Sequence, residues 1–313
     1  MKQDHVLHIG RKPTTALWVV LAFAFIVFGC GRQEPPSGPH YSDKGATDSA
    51  VKHYVFAIHP LYNPQLLHQK FEPLMRYLSA HIPGTQFEVD ASNTYADYEA
   101  KLRNKSPDFS LPNPYHGMLS RDWGYHIIAK MGNDEVFRGI FIARMESPIK
   151  VPTDLKGKTV AYPAPTALAA AMMPQLFLQK HGVDVETELN NQYVGTHNSS
   201  IMNAYLGQSA VSATWPVAWE AFKLANPKEA SELKVLWETP KLIQNAIIAR
   251  NDVPKETADK VVELLTGLHL TDEGKKLLAN IDTTSFEASD DRQFDVVGQF
   301  LQEFNAKVKK TTR

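Results

Sequence analysis

The chain has 313 residues, 43% of them hydrophobic and 21% charged, with a formal net charge of −1. That length suits one large domain or two of ordinary size, and the near-neutral balance leaves no cationic excess for a phosphodiester backbone, which argues against nucleic acid as a partner. A single cysteine, Cys30, rules out an intrachain disulfide, so packing must hold the fold together.

The N-terminus places Lys2, Arg11 and Lys12 ahead of an unbroken apolar run, Ala16 to Phe28, that ends at Gly29 and Cys30. The run falls short of the roughly 20 residues that span a bilayer and suits the apolar centre of a signal peptide. It resembles a bacterial lipoprotein leader. Residues 1–29 are therefore expected to be removed and Cys30 to be lipidated, which gives an exported protein anchored to a membrane and facing the periplasm or the cell exterior. Residues 30–52 cluster Pro, Gly and Ser without helical or strand period and read as a flexible tether.

From His53 onward, short β-rich runs alternate with helical patterns. Strands are predicted at 54–58, 86–91, 108–111 and 126–130, with helices at 64–81, 95–104 and 115–123 between them. A strand at 137–144 follows. The alternation restarts with strands at 159–163, 192–195, 209–214 and 233–238, separated by helices at 166–181, 198–206 and 217–225. A strand at 245–250 and helices at 254–267, 271–280 and 290–308 close the chain. Strands alternating with helices imply βαβ units, hence an α/β fold with largely parallel sheets.

The order of several short motifs is similar to the phosphonate-binding family of periplasmic solute-binding proteins, the receptor components of ATP-driven importers. These are Pro73-Leu74, Tyr95 with Asp108, Pro112-Asn113-Pro114-Tyr115, DLKGK at 154–158, Thr196-His197, Pro254, and TDEGKKLL at 271–278 followed by Phe286. The resemblance covers His53 to Phe304. It implies a two-lobed, type II binding-protein fold, each lobe a mostly parallel sheet flanked by helices, with hinge crossovers between them. Lobe 1 comprises 53–142 and 245–313, lobe 2 comprises 143–244, and a ligand is enclosed between them by hinge closure. A lipid-anchored monomer that hands a small anion to a membrane permease is the implied role.

Ligands in such sheets sit beyond the carboxyl ends of strands, and helix N-termini there offer unpaired N–H groups to an oxyanion. Two such ends in lobe 2 are Thr166 and His197-Asn198-Ser199. The family carries a hydroxyl-rich run at the first, where this chain has Ala167, Leu168, Ala169 and Ala170, leaving Thr166 as the nearby hydroxyl, a ligand donor or a helix cap. His197 stands where the resemblance puts a ligand-contacting histidine, and Asn198 and Ser199 could contact the ligand or cap the helix. Where the family has an acidic partner for an amine, this chain has Val211, which disfavours an amine-bearing ligand. Trp215 is a candidate floor for the cleft. Lobe 1 contributes Tyr62, Tyr95, Tyr115 and His116, phenols and imidazole that can meet an oxyanion without a fixed charge.

The expected ligand is a phosphonate, phosphite or phosphate, with no cofactor. No Gly-x-Ser-x-Gly, HExxH, Walker or Gly-x-Gly-x-x-Gly pattern is present, so catalysis is not expected. Two alternatives stay open: ferric or divalent metal capture by the Tyr and His set, and a sensor that presents its ligand to a signalling partner.

Overall fold

In the computed structural model, which describes residues 51–309, six strands form one sheet and five a second, both within the unit Ser49–Arg313. The first sheet begins with β1 (Lys52–Ile58), α1 (Pro64–His81), β2 (Thr85–Ala91), α2 (Tyr95–Arg103), β3 (Phe109–Leu111), α3 (Pro114–Ser120) and β4 (Tyr125–Met131). The chain then crosses to the second sheet. That sheet holds β5 (Ile140–Arg144), β6 (Thr159–Tyr162), a π-helical turn Leu168–Met172 running into α4 (Met173–Lys180), and β7 (Asn190–Tyr193). It continues with α5 (His197–Tyr205), β8 (Val211–Thr214), α6 (Pro216–Ala225), α7 (Pro227–Ala230) and β9 (Leu233–Glu238). A second crossing returns the chain to the first sheet as β10 (Ala246–Arg250), α8 (Lys255–Gly267), α9 (Asp272–Asn280), β11 (Phe286–Ala288) and α10 (Asp295–Lys307).

Local sequence accounts for most of these elements. Phe56, Ala57 and Ile58 of β1 are all buried, as expected for a strand covered on both faces. α1 buries Leu67, Phe71, Leu74, Met75 and Leu78, one stripe at helical spacing. Its N-cap Asn63 accepts from the Leu66 amide at 2.9 Å, and Pro64 occupies the first turn, where a missing N–H costs nothing.

The strand orders are β11-β4-β10-β3-β1-β2 and β7-β6-β8-β5-β9. The sheets are mixed, with most strands of each running one way, β1 to β4 in the first and β6 to β9 in the second. β1 pairs in parallel with β2 and β3, and β6 with β7 and β8, but β10 runs antiparallel to β3 and β4, β11 to β4, and β5 to β8 and β9. Of the reversed strands, β5 and β10 enter their sheet from the other. β5, from Ile140, pairs in the second sheet, which begins ahead of the lobe boundary expected at 142/143. The expected strand at 137–144 is correspondingly shorter, beginning at Ile140. Lys52 opens β1, so the tether expected over 30–52 ends sooner; its residues to 50, the leader and Cys30 lie outside the described residues.

The two crossovers are bonded to each other. The Gly139 amide donates to Thr239 Oγ1 at 2.9 Å, the Thr239 amide to the Gly139 carbonyl at 2.8 Å, and the Leu242 amide to the Phe137 carbonyl at 2.9 Å. A side chain at Gly139 would place its Cβ 2.4 Å from the Ala169 carbonyl oxygen. Only glycine lets the first crossover lie this close to the π turn. The π turn has its own cause: Pro174 has no N–H and its ring crowds the preceding turn, which widens to i→i−5 bonds such as Met173 N–H to Leu168 O.

Candidate ligand-binding site

The residues that follow successive strands converge between the two sheets. His59 follows β1, Tyr95 follows β2, and Asn113 follows β3; from the other sheet come Ala167 after β6, His197 after β7 and Trp215 after β8. All six line one cavity of about 20 Å³, with Leu61, Phe137, Leu168, Ala169 and Asn245 completing its wall. Such a space is about that of one water molecule, so a larger guest enters only as the wall moves. The side chains of His59, Tyr95, Asn113, His197 and Trp215 are all buried.

Hydrogen bonding across the cavity's edge holds the sheets together. Asn113 caps α3, its Oδ1 accepting from the His116 amide at 3.0 Å, while its Nδ2 donates across to the Thr166 carbonyl at 2.9 Å. On the far side, Lys180 of α4 meets Glu303 of α10 at 2.8 Å.

Donors remain free at the cavity wall. Ala167 N–H bonds back to Ala164, and Ala171 N–H to Ala167, which leaves the Leu168, Ala169 and Ala170 amides without a backbone acceptor at the start of the π turn. The turn continues into α4, so these amides sit at the positive end of a helix from Leu168 to Lys180. On α5, Thr196 accepts from the Ser199 amide through Oγ1 and from the Ser200 amide through its carbonyl, leaving the His197 and Asn198 amides. The Tyr95 hydroxyl has no hydrogen-bond partner among the described residues, and burial pushes its ionisation upward, so it stays a neutral donor. Asn245 keeps a buried Oδ1 with no partner.

Three imidazoles sit around this space with different bonding. His59 places Nδ1 2.7 Å from the Leu111 carbonyl, and burial lowers its pKa to about 3. His197 places Nδ1 3.0 Å from Thr214 Oγ1, and burial lowers its pKa to about 4. His116 lies outside the cavity wall, with Nδ1 3.1 Å from Asn113 Oδ1 and Nε2 3.5 Å from Glu99. The neighbouring His116 and the Arg103 guanidinium hold the Glu99 carboxyl down to about 2.

The predicted site residues thus divide. Tyr95, Ala167, Leu168, His197 and Trp215 line the cavity. Tyr62 and Asn198 instead line an adjoining groove of about 820 Å³, where the Tyr62 hydroxyl donates to Asp282 at 2.5 Å and Lys70 reaches the same carboxylate at 2.8 Å. Tyr115 and His116 pack behind the wall, their rings 5.0 Å apart. Thr166 supplies its carbonyl to Asn113 and makes no side-chain cap, since Ala167 occupies the cap position. The cap of α5 is Thr196, with Ser199 accepting a hydrogen bond from its hydroxyl at 2.8 Å. The Tyr and His atoms considered for a metal are dispersed: among the described residues no three His, Cys, Asp or Glu side chains are grouped to hold one. His59, Leu61, Asn113, Phe137, Ala169 and Asn245 were not anticipated as lining residues. His59 and Asn113 obey the rule that residues just after strands carry most weight; Asn245 follows no strand and carries no such signal.

Residues 56–294 match the family described as ABC transporter, phosphonate, periplasmic substrate-binding protein. The chain belongs to this family. It is 24% identical over 164 residues to a probable ABC transporter phosphite binding protein, PhnD1, of Prochlorococcus marinus (strain MIT 9301), a match covering 50% of this chain and 52% of the relative. The aligned segment thus spans about half the length of that curated relative. Among solved structures, a binding protein component of an ABC phosphonate transporter from Pseudomonas aeruginosa superposes with a TM-score of 0.74 at 21% identity, over 83% of this chain and 94% of that one. PhnD1 from Prochlorococcus marinus (MIT 9301), in complex with methylphosphonate, gives 0.74 at 18% identity, over 82% and 99%. These two share the fold.

Proposed function

We propose that this protein is the solute-binding receptor of an ABC importer and captures a small phosphorus oxyanion of the phosphonate, phosphite or phosphate class between its lobes. The observation that carries this reading is the convergence of six post-strand residues from both sheets on one small cavity whose wall keeps free donors at the Leu168 and Ala169 amides and at Tyr95. Oriented amides at a helix start, shielded from water, suit an oxyanion. Membership of the family supports the transport role. In this reading lobe 1 is residues 53–139 with the return from 246, lobe 2 is 140–238, and the bonded crossovers between them are the hinge. Residues 1–29 direct export, lipidated Cys30 fixes the receptor to the membrane, and the monomer delivers its ligand to a permease.

The test is a thermal-shift and calorimetry panel on the full-length protein in detergent, with methylphosphonate, phosphite, phosphate, methanesulfonate, acetate and ferric citrate. A ligand at one hundred times its Kd adds about 2.7 kcal/mol, which raises Tm by about 5–10 °C for a chain of this size. The expected result is such a shift with at least one phosphorus oxyanion. Silence from all three of them, with a clear response to acetate or ferric citrate, would overturn the assignment.

A further inference from the structure

We propose that His59 makes the site selective for an oxyanion that still carries a proton, the P–OH of a phosphonate or phosphite monoanion donating to His59 Nε2. This rests on the phosphorus-oxyanion reading above and adds the protonation state that the cavity selects.

The polarity of the His59 ring is fixed by its neighbours. Its Nδ1 lies 2.7 Å from the Leu111 carbonyl, and its own backbone amide donates to that carbonyl at 3.1 Å. A carbonyl only accepts, so Nδ1 carries the hydrogen. A second proton on Nε2 would place a full charge in a side chain that is 2% exposed, and burial drives the pKa to about 3. The groups that face the ring offer nothing to offset that charge: Tyr95 and Tyr98 of α2, each with its ring centroid 6.3 Å away, His116 of α3, and His197 of α5. Glu99, the carboxylate beside His116, is paired with Arg103.

Nε2 is therefore a lone pair. The one side-chain hydrogen bond of His59 among the described residues is that of Nδ1, and the residue lines the cavity. Opposite a fully ionised oxygen this lone pair repels; opposite a P–OH it accepts a hydrogen bond. His197 lacks this constraint, because its Nδ1 meets the Thr214 hydroxyl, which can donate or accept, so its tautomer adapts to the guest. The free amides serve any anion. His59 Nε2 distinguishes a protonated anion from a bare one, and the unpaired Asn245 Oδ1 in the same wall acts in the same sense.

The experiment measures Kd by calorimetry on the full-length protein from pH 6 to pH 9 for methylphosphonate, for chloromethylphosphonate, whose second ionisation falls at lower pH, and for methanesulfonate, which has the same shape and no proton in this range. The proposal expects Kd for methylphosphonate to rise about tenfold per pH unit above that ligand's second ionisation, as linkage of one proton requires. The onset should move to lower pH for chloromethylphosphonate, and methanesulfonate should bind at least tenfold more weakly than methylphosphonate at pH 6. In His59→Gln, whose amide can present either oxygen or N–H, the pH slope should flatten and the sulfonate should approach the phosphonate. Nitrogen-15 spectra of labelled wild-type histidines give a readout independent of that variant's folding and should show His59 as the Nδ1–H tautomer. A flat Kd across the range, an onset indifferent to the ligand's ionisation, equal affinity for methanesulfonate, or the opposite tautomer would overturn the inference while leaving phosphonate binding intact. Absence of binding by either phosphonate at every pH would overturn it together with the reading on which it rests.

Discussion

Asn113→Asp separates two jobs performed by one buried side chain. The carboxylate keeps an oxygen for the His116 amide, and Asn and Asp are near-equal N-caps, so α3 should hold. The other half of the side chain changes sign: Nδ2, which donates to the Thr166 carbonyl at 2.9 Å, becomes an oxygen facing an oxygen. Losing that bond removes about 0.5–1.5 kcal/mol, and leaving the carbonyl unpaired adds roughly 1–3 kcal/mol when the lobes close. Both effects act on the closed state alone. Closure should weaken by roughly 1.5–4.5 kcal/mol, and since apparent affinity scales with the population of the binding-competent state, Kd for methylphosphonate should rise about 10- to 2,000-fold. A new negative charge beside an anion acts in the same direction. Calorimetry gives the affinity, and small-angle scattering without ligand should show a larger radius of gyration than wild type. An affinity within twofold of wild type, with an unchanged scattering profile, would refute the claim that this bond holds the lobes shut.

Gly139→Ala should lower stability by about 1–3 kcal/mol through overpacking, because its Cβ would meet the Ala169 carbonyl at 2.4 Å and the Pro174 ring at 2.8 Å; urea denaturation checks it. For Tyr95→Phe, the loss of a hydrogen bond to a charged ligand predicts a Kd about 10- to 150-fold higher, whereas Tyr62→Phe, whose hydroxyl is bound to Asp282 outside the cavity, should leave Kd unchanged. His59 and His197 titrate in the fold at about 3 and about 4, below the ordinary 6.5, so between those values the unfolded chain binds more protons than the native one. Stability should therefore be fully present above pH 6.5 and fall as pH drops, by about 2 kcal/mol for each histidine at pH 5, seen as a lower urea midpoint at pH 5 than at pH 7.

Much of this fold could be read from the chain because its helices and strands are locally specified. The stripe Leu67, Phe71, Leu74, Met75 and Leu78 marks α1 without help from the rest of the molecule, and Asn63 and Thr196 mark helix starts by chemistry alone. Strand direction is a different kind of information. β5 and β10 read as strands from their apolar content, but their reversal follows from where the chain enters each sheet, which no local pattern encodes. β11, Phe286–Ala288, is three residues long and buries only Phe286, too little period to register. The break of the expected helix 166–181 into a π turn and α4 turns on Pro174, whose presence was visible but whose effect depends on the turn before it.

The candidate site shows the same division at the level of chemistry. Alanines at 167, 169 and 170 look like the loss of an anion site when only side chains are counted, yet the Leu168, Ala169 and Ala170 amides remain free because the turn around them is built by Pro174 and by the close approach of Gly139. Backbone donors are indifferent to the identity of the side chain. With no hydroxyl in that run, discrimination among anions passes to residues whose polarity is set elsewhere. His59 is such a residue: the direction of its lone pair is decided by the Leu111 carbonyl on the neighbouring strand, a partner 52 positions away in the chain. A sequence names the imidazole, but only the register of β1 against β3, with Ile58 beside Leu111, determines which of its nitrogens meets a ligand.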